Sequence, residues 1–152
     1  MSQITIANYR LNNNIRALFG GRMSETIKVA AAIPAEPSKI YDAWLNSRKH
    51  SSMTGGEAKA SAMIGGRFTA WDKYISGKNI DLVKNKRIVQ TWRGTDFPPG
   101  SNDSILIVRF EKVESGTKVF IVHSEIPDGM GKSYKDGWRD FYFKPMKKYF
   151  SK

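Results

Sequence analysis

The hydrophobic pattern of this chain changes period along its length, and that constrains the fold more than any single motif. From Glu57 to Ile126 apolar residues tend to alternate with polar ones, whereas beyond Lys132 they return at helical spacing. Alternation sends side chains to opposite faces of a strand, and a ~3.6-residue period lines one face of a helix. Turn residues divide the alternating region into Ala58–Ile64, Arg67–Trp71, Tyr74–Val83, Arg87–Arg93, Ser104–Val113 and Thr117–Ile126. The dividers are Gly65-Gly66, Asp72-Lys73, Lys84-Asn85, Pro98-Pro99-Gly100 and Ser115-Gly116, all of turn chemistry. Consecutive strands with short links predict an antiparallel meander.

Upstream, Thr26–Ile33 is rich in β-branched residues and reads as a first strand. Pro34 and Pro37 end it, and Pro37 suits a first helical turn. Ile40, Tyr41, Trp44 and Leu45 then mark a short helix through about Asn46. Ser47 is placed to cap a second, Arg48 to Met53, which Gly55-Gly56 stops. At the other end Tyr134, Trp138, Phe141, Tyr142, Pro145 and Tyr149 form one stripe, with Lys132, Lys135, Arg139, Lys147 and Lys148 mostly off it. Pro145 should kink this helix. A lone helix with so wide an aromatic stripe needs a sheet to cover it. The expected fold is therefore α+β: a seven-stranded antiparallel sheet curled around a long C-terminal helix, with two short helices after the first strand. Residues 23–152 would make this domain. Residues 1–22, broken by Asn12-Asn13-Asn14 and ended by Gly20-Gly21, read as an extension.

The glycine pair in IGGRF could cradle a phosphate, but no helix follows it, as such a loop requires. It reads instead as a hairpin turn with Gly66 at positive φ. A curled sheet and one helix leave a gap, which is the expected pocket. Alternation places Val119, Ile121 and His123 on its wall, as it does Leu106, Val108 and Phe110, and also Ile88, Gln90 and Trp92. Trp71, Trp138, Phe141 and Tyr142 would complete it. The same residues also read as plain core. His123 has two readings: a buried, hydrogen-bonded side chain, or an acid/base acting on an apolar substrate. His50, beside Lys49, is expected to be exposed.

The chain has no cysteine, which removes disulfides, thiolate metal sites and a cysteine nucleophile. Its two histidines lie far apart, and no metal, Walker or dinucleotide motif is present, so no metal or cofactor is expected. The net charge of +11 favours an acidic partner. The densest basic region is 132–152, with six lysines and Arg139 against Asp136 and Asp140. Its aromatics lie on the apolar stripe rather than among the lysines, which argues against specific nucleic-acid binding. No apolar run reaches the ~18 residues of a membrane span, and the first residues do not read as a secretory signal. A cytoplasmic protein is expected.

GGRF, YISGKNIDLVKNKRIVQTWR, FPPGSNDS, GTKVFIVHSEIP and DGWRDFYFKPMKKYF occur in that order. Between Thr26 and Phe150 the chain resembles the C-terminal domain of the activators of the ninety-kilodalton heat-shock chaperone ATPase, within the START-like superfamily. Gly65-Gly66, Gly77, Trp92-Arg93, Ile126-Pro127 and Gly137-Trp138 carry the likeness. The resemblance implies the helix-grip fold. It also implies a non-enzymatic domain, either a chaperone-associated stress protein or a binder of a small hydrophobic ligand. An acidic chaperone would be the partner, met by exposed lysines such as Lys147 and Lys148. The superfamily also includes enzymes, which keeps the His123 alternative open.

Overall fold

The computed structural model describes residues 24–151; the extension expected at 1–22 lies outside the described residues. In chain order the elements are β1 (Ser24–Ile33), α1 (Pro37–Trp44), α2 (Ser47–Thr54), β2 (Arg67–Ala70), β3 (Ile75–Val83), β4 (Arg87–Gly94), β5 (Ser104–Val113) and β6 (Gly116–Pro127). A helical run follows: α3 (Gly131–Gly137), a π-helical turn (Trp138–Phe143) and α4 (Lys144–Phe150). The strands form one antiparallel sheet in the order β1-β6-β5-β4-β3-β2. This is the helix-grip architecture, a curled sheet closed on a C-terminal helix.

Among the described residues the sheet has six strands rather than seven. Ala58–Ile64 is not a strand, and only Lys59 bridges to Thr69. The hydroxyls of Ser47 and Ser51 on α2 take up its backbone, accepting from the amides of Ala60 and Ala58 at 2.8 Å each. Helix side chains thus satisfy groups that a sheet neighbour would otherwise have to meet. The other limits differ from expectation by a residue or so, which is the usual uncertainty of element ends.

The glycine pair therefore is not the tip of a hairpin between two strands. The Gly65 amide donates to the Asn79 carbonyl at 2.8 Å, and the Asn79 amide donates to the Gly66 carbonyl at 2.9 Å. Positive φ belongs to Gly65 (82°), not to Gly66. Gly66 is needed for close approach: a Cβ there would run into the Ser61 side chain and lie 3.0 Å from the Met63 carbonyl.

The second helix begins one residue earlier than expected. Asn46, not Ser47, caps it, accepting from the Lys49 amide at 2.9 Å. Gly55, at φ 88°, ends it. Helix α3 has no capping side chain of its own. Glu25 from β1 takes that place, accepting from the amides of Gly129 and, at 3.1 Å, Gly131. The core lies between the concave sheet face and the final helix. Ile88, Leu106, Val108, Val119 and Ile121 meet Trp138, Tyr142, Phe143 and Met146 there, all buried. Among the described residues no helix is long and apolar enough to cross a membrane.

Candidate functional site

Strand alternation and the aromatic stripe converge at one end of the helix–sheet junction. There a half-open pocket of about 300 Å³ lies between the turn before β3, the end of β4 and one face of the final helix. Trp92 of β4 with Trp138 and Tyr142 of the π turn form its floor, with ring centroids 4.8–6.2 Å apart. These three rings are almost wholly buried. Trp71, Tyr74, Tyr134 and Phe141 stand around the rim, with Asp96. Phe141 is 58% exposed.

Two local features hold the rim open in this shape. Trp71, Asp72 and Lys73 have φ of 52°, 54° and 71°, three successive left-handed residues without a glycine. Each such residue costs about 1–2 kcal/mol, and strain of this kind collects at ligand clamps and active sites. Gly56 provides the second feature. A Cβ on Gly56 would penetrate the Trp71 ring, so only glycine lets the indole lie against that backbone. Opposite, Gly94 leaves a niche filled by oxygens. A Cβ there would lie 2.6 Å from Asp96 Oδ1 and 2.8 Å from the Tyr134 hydroxyl. The Tyr74 hydroxyl donates to Asp96 Oδ1 at 2.6 Å. Burial and then Asp96 push the Tyr74 phenol up to about 12. Among the described residues the Tyr134 hydroxyl shares the niche without a hydrogen bond of good geometry, and Trp92 Nε1 has no acceptor.

The residues expected at the cavity separate into two groups. Trp71, Trp92, Trp138, Phe141 and Tyr142 come together at the pocket. Val108, Phe110, Ile121 and His123 lie deeper, as core. His123 is fully buried and has both ring nitrogens engaged. Trp138 Nε1 can only donate, so it bonds to His123 Nδ1, at 3.1 Å. Nε2 then carries the proton and donates to Ser104 Oγ at 2.7 Å. Ser104 passes its own hydrogen to the Trp92 carbonyl at 2.5 Å. Every group in this chain has one fixed role. Burial holds the His123 pKa down at about 3, so the ring stays neutral across physiological pH and has no lone pair or proton to spare.

His50, expected at the surface, is buried. Its Nδ1 donates to the Trp44 carbonyl at 2.8 Å, and its Nε2 accepts from the Tyr142 hydroxyl at 3.0 Å. It braces the pocket floor from behind, and burial lowers its pKa as well. Tyr134, on the aromatic stripe but not among the expected cavity residues, also lines the pocket, and Tyr74, Asp96 and Met130 are pocket residues that periodicity did not select. Tyr74 and Asp96 flank β3 and β4 in turns, where alternation carries no information. Lys147 and Lys148 are exposed on α4, away from the pocket.

Fold and pocket together define a START-like helix-grip domain. Residues 34–151 match the family described as activator of Hsp90 ATPase homolog 1-like protein, and the chain belongs to that family. It is 27% identical over 116 residues to the activator of 90 kDa heat shock protein ATPase homolog of Dictyostelium discoideum, a match covering 76% of this chain and 30% of that protein. It is 28% identical over 114 residues to the human activator of 90 kDa heat shock protein ATPase homolog 1, covering 75% of this chain and 33% of that protein. The matched region thus spans about a third of the length of these relatives. An HSP90 activator from Plasmodium falciparum has the same fold, with a TM-score of 0.73 at 22% identity, covering 85% of this chain and 96% of that one.

Proposed function

We propose that this domain is a non-enzymatic binder of a small, largely apolar ligand, held in the aromatic pocket between sheet and helix. The observation that carries this is the rim: the left-handed β2–β3 turn and a glycine contact present Trp71 to an open cavity. Pockets of this size and composition suit small molecules. The enzyme reading draws no support from His123, whose nitrogens are both committed. The test is a neutral fluorescent probe such as N-phenyl-1-naphthylamine. It should bind at micromolar concentration and quench the indoles. Phe141→Ala, at an exposed rim position, should weaken binding about tenfold, or ~1.4 kcal/mol, with thermal unfolding unchanged. No probe binding, or equal binding by the variant, would remove the proposal.

A second reading is contact with an acidic chaperone. It is supported by the names of the matched relatives and by the net charge of +11. Lys147 and Lys148 are the exposed cations proposed to serve that encounter. The two readings are compatible, because the pocket and these lysines occupy different surfaces.

A further inference from the structure

The charge of the pocket runs against the charge of the chain. The whole protein carries +11, yet among the described residues no lysine, arginine or histidine lines this cavity. Its one ionisable acid is Asp96, and seven of its twelve lining residues are aromatic. An aromatic ring has a negative face, which attracts a cation within about 6 Å of its centroid, more strongly as water is excluded. The phenols of Tyr74 and Tyr134 are pushed up by burial, so they remain neutral and, among the described residues, Asp96 is the one charged side chain lining the cavity. Asp96 makes no ion pair among the described residues. It accepts from the Tyr74 hydroxyl through Oδ1, and it is exposed where it lines the half-open pocket. Arg93, next to Trp92 on β4, is engaged elsewhere: it lies over the Phe97 ring at 5.5 Å and pairs with Asp103 at 3.2 Å.

We propose that the pocket selects a small apolar cation of the ammonium class, held among the rings of Trp71, Tyr74 and Phe141 and against Asp96. This rests on the pocket being a ligand site, and it specifies which ligands that site prefers. An apolar anion would meet ring faces and a carboxylate of its own sign. A neutral ligand would gain the contact area but not the electrostatic attraction. The surrounding positive charge does not reverse this preference, because salt screens charges beyond ~8 Å at physiological ionic strength.

Three benzyl ligands separate the possibilities: benzyltrimethylammonium, its neutral isostere neopentylbenzene, and the smaller anion phenylacetate. Binding is read from the four tryptophan indole N–H signals by NMR at physiological salt. The cation should bind at least about tenfold more tightly than the isostere, with phenylacetate weakest and the largest shift at the Trp71 indole. Asp96→Asn keeps an acceptor for Tyr74 and removes only the charge. It should erase most of the preference for the cation, read as the ratio of the cation's affinity to that of neopentylbenzene. Phe141→Leu keeps an apolar side chain and removes the ring, so it should reduce the preference without abolishing neutral binding. Equal or tighter binding of the isostere or of phenylacetate would overturn the cation inference while leaving the ligand-site reading intact. Failure of all three to bind would overturn both.

Discussion

His123 and His50 show how burial can settle the chemistry of a residue type that is versatile in the open. Both rings are buried and bonded at both nitrogens, and burial lowers both pKa values. The consequence is a pH dependence of stability. Above the unfolded histidine pKa of about 6.5, neither state binds these protons and the stability is full. As pH falls below that value the unfolded chain takes up protons that the native rings refuse, until about pH 3 for His123. Stability should therefore drop between pH 6.5 and 5, by up to ~1.4 kcal/mol per pH unit for each histidine. Denaturant midpoints across that range would show it, and the His123 ring signals should not titrate while the protein stays folded. A flat stability profile would count against the buried bonding.

Gly66 makes a different point at the same scale. Its sequence context announced a turn, but its role is contact rather than dihedral freedom. Gly66→Val should cost ~1–3 kcal/mol, as overpacking does, because the new side chain meets Ser61 and the Met63 carbonyl. Thermal unfolding of the variant at wild-type temperature would refute this close approach.

At the scale of elements, a buried polar relay ties the helices to the far edge of the sheet. Trp44 Nε1 donates to Gln90 Oε1 at 3.3 Å, and Gln90 Nε2 donates to Asn79 Oδ1 at 2.9 Å. Asn79 Nδ2 then donates to the carbonyls of Ser61 and Met63 at 2.8 and 3.0 Å. One asparagine thereby holds the loop that the sequence read as a strand. Asn79→Ala would take the acceptor from the buried Gln90 amide and a donor from the Ser61 carbonyl, while Met63 keeps the Gly66 amide, and should cost ~1–3 kcal/mol. Proteolysis within 59–66 should quicken in the same variant, and unchanged protection there would show that the loop is held by something else.

The final helix was legible in type but not in phase. Pro145 has no amide hydrogen, and in a regular α-helix its ring would press on the Phe141 carbonyl. The chain does not simply kink; it widens into a π turn, where the Lys144 amide reaches back to the Arg139 carbonyl. The extra residue in that turn shifts everything after it by about 100°. Phe143 and Met146 consequently face the core, while Phe141 points to the rim of the pocket. A uniform 3.6 period puts Pro145 and Tyr149 on one stripe with Trp138 and Tyr142, whereas both are only partly buried.

For the whole molecule the net charge of +11 sets association rather than fold. Exposed lysines speed encounter, and salt weakens them, whereas a desolvated anchor is not screened away. Binding to an acidic chaperone, as proposed, should survive moderate salt, and binding to DNA should not. Lys147→Glu with Lys148→Glu should lower the on-rate for the chaperone several-fold and change the off-rate little. A pull-down at physiological salt that recovers nucleic acid and no chaperone would sink that reading.

Periodicity alone determined the order of elements outside Ala58–Ile64, and the concave face of β4, β5 and β6 on which His123 lies. These follow from local rules: a strand alternates and a helix repeats, whatever lies beyond. Only the tertiary structure decided that Ala58–Ile64 is held by serines of α2, that His50 is buried behind Tyr142, and that Asp96 stands alone among the pocket rings. Each of those depends on which distant backbone or side chain arrives at a given point. A hydrogen-bond partner dozens of residues away, or a turn that changes helical phase, leaves no trace in local spacing.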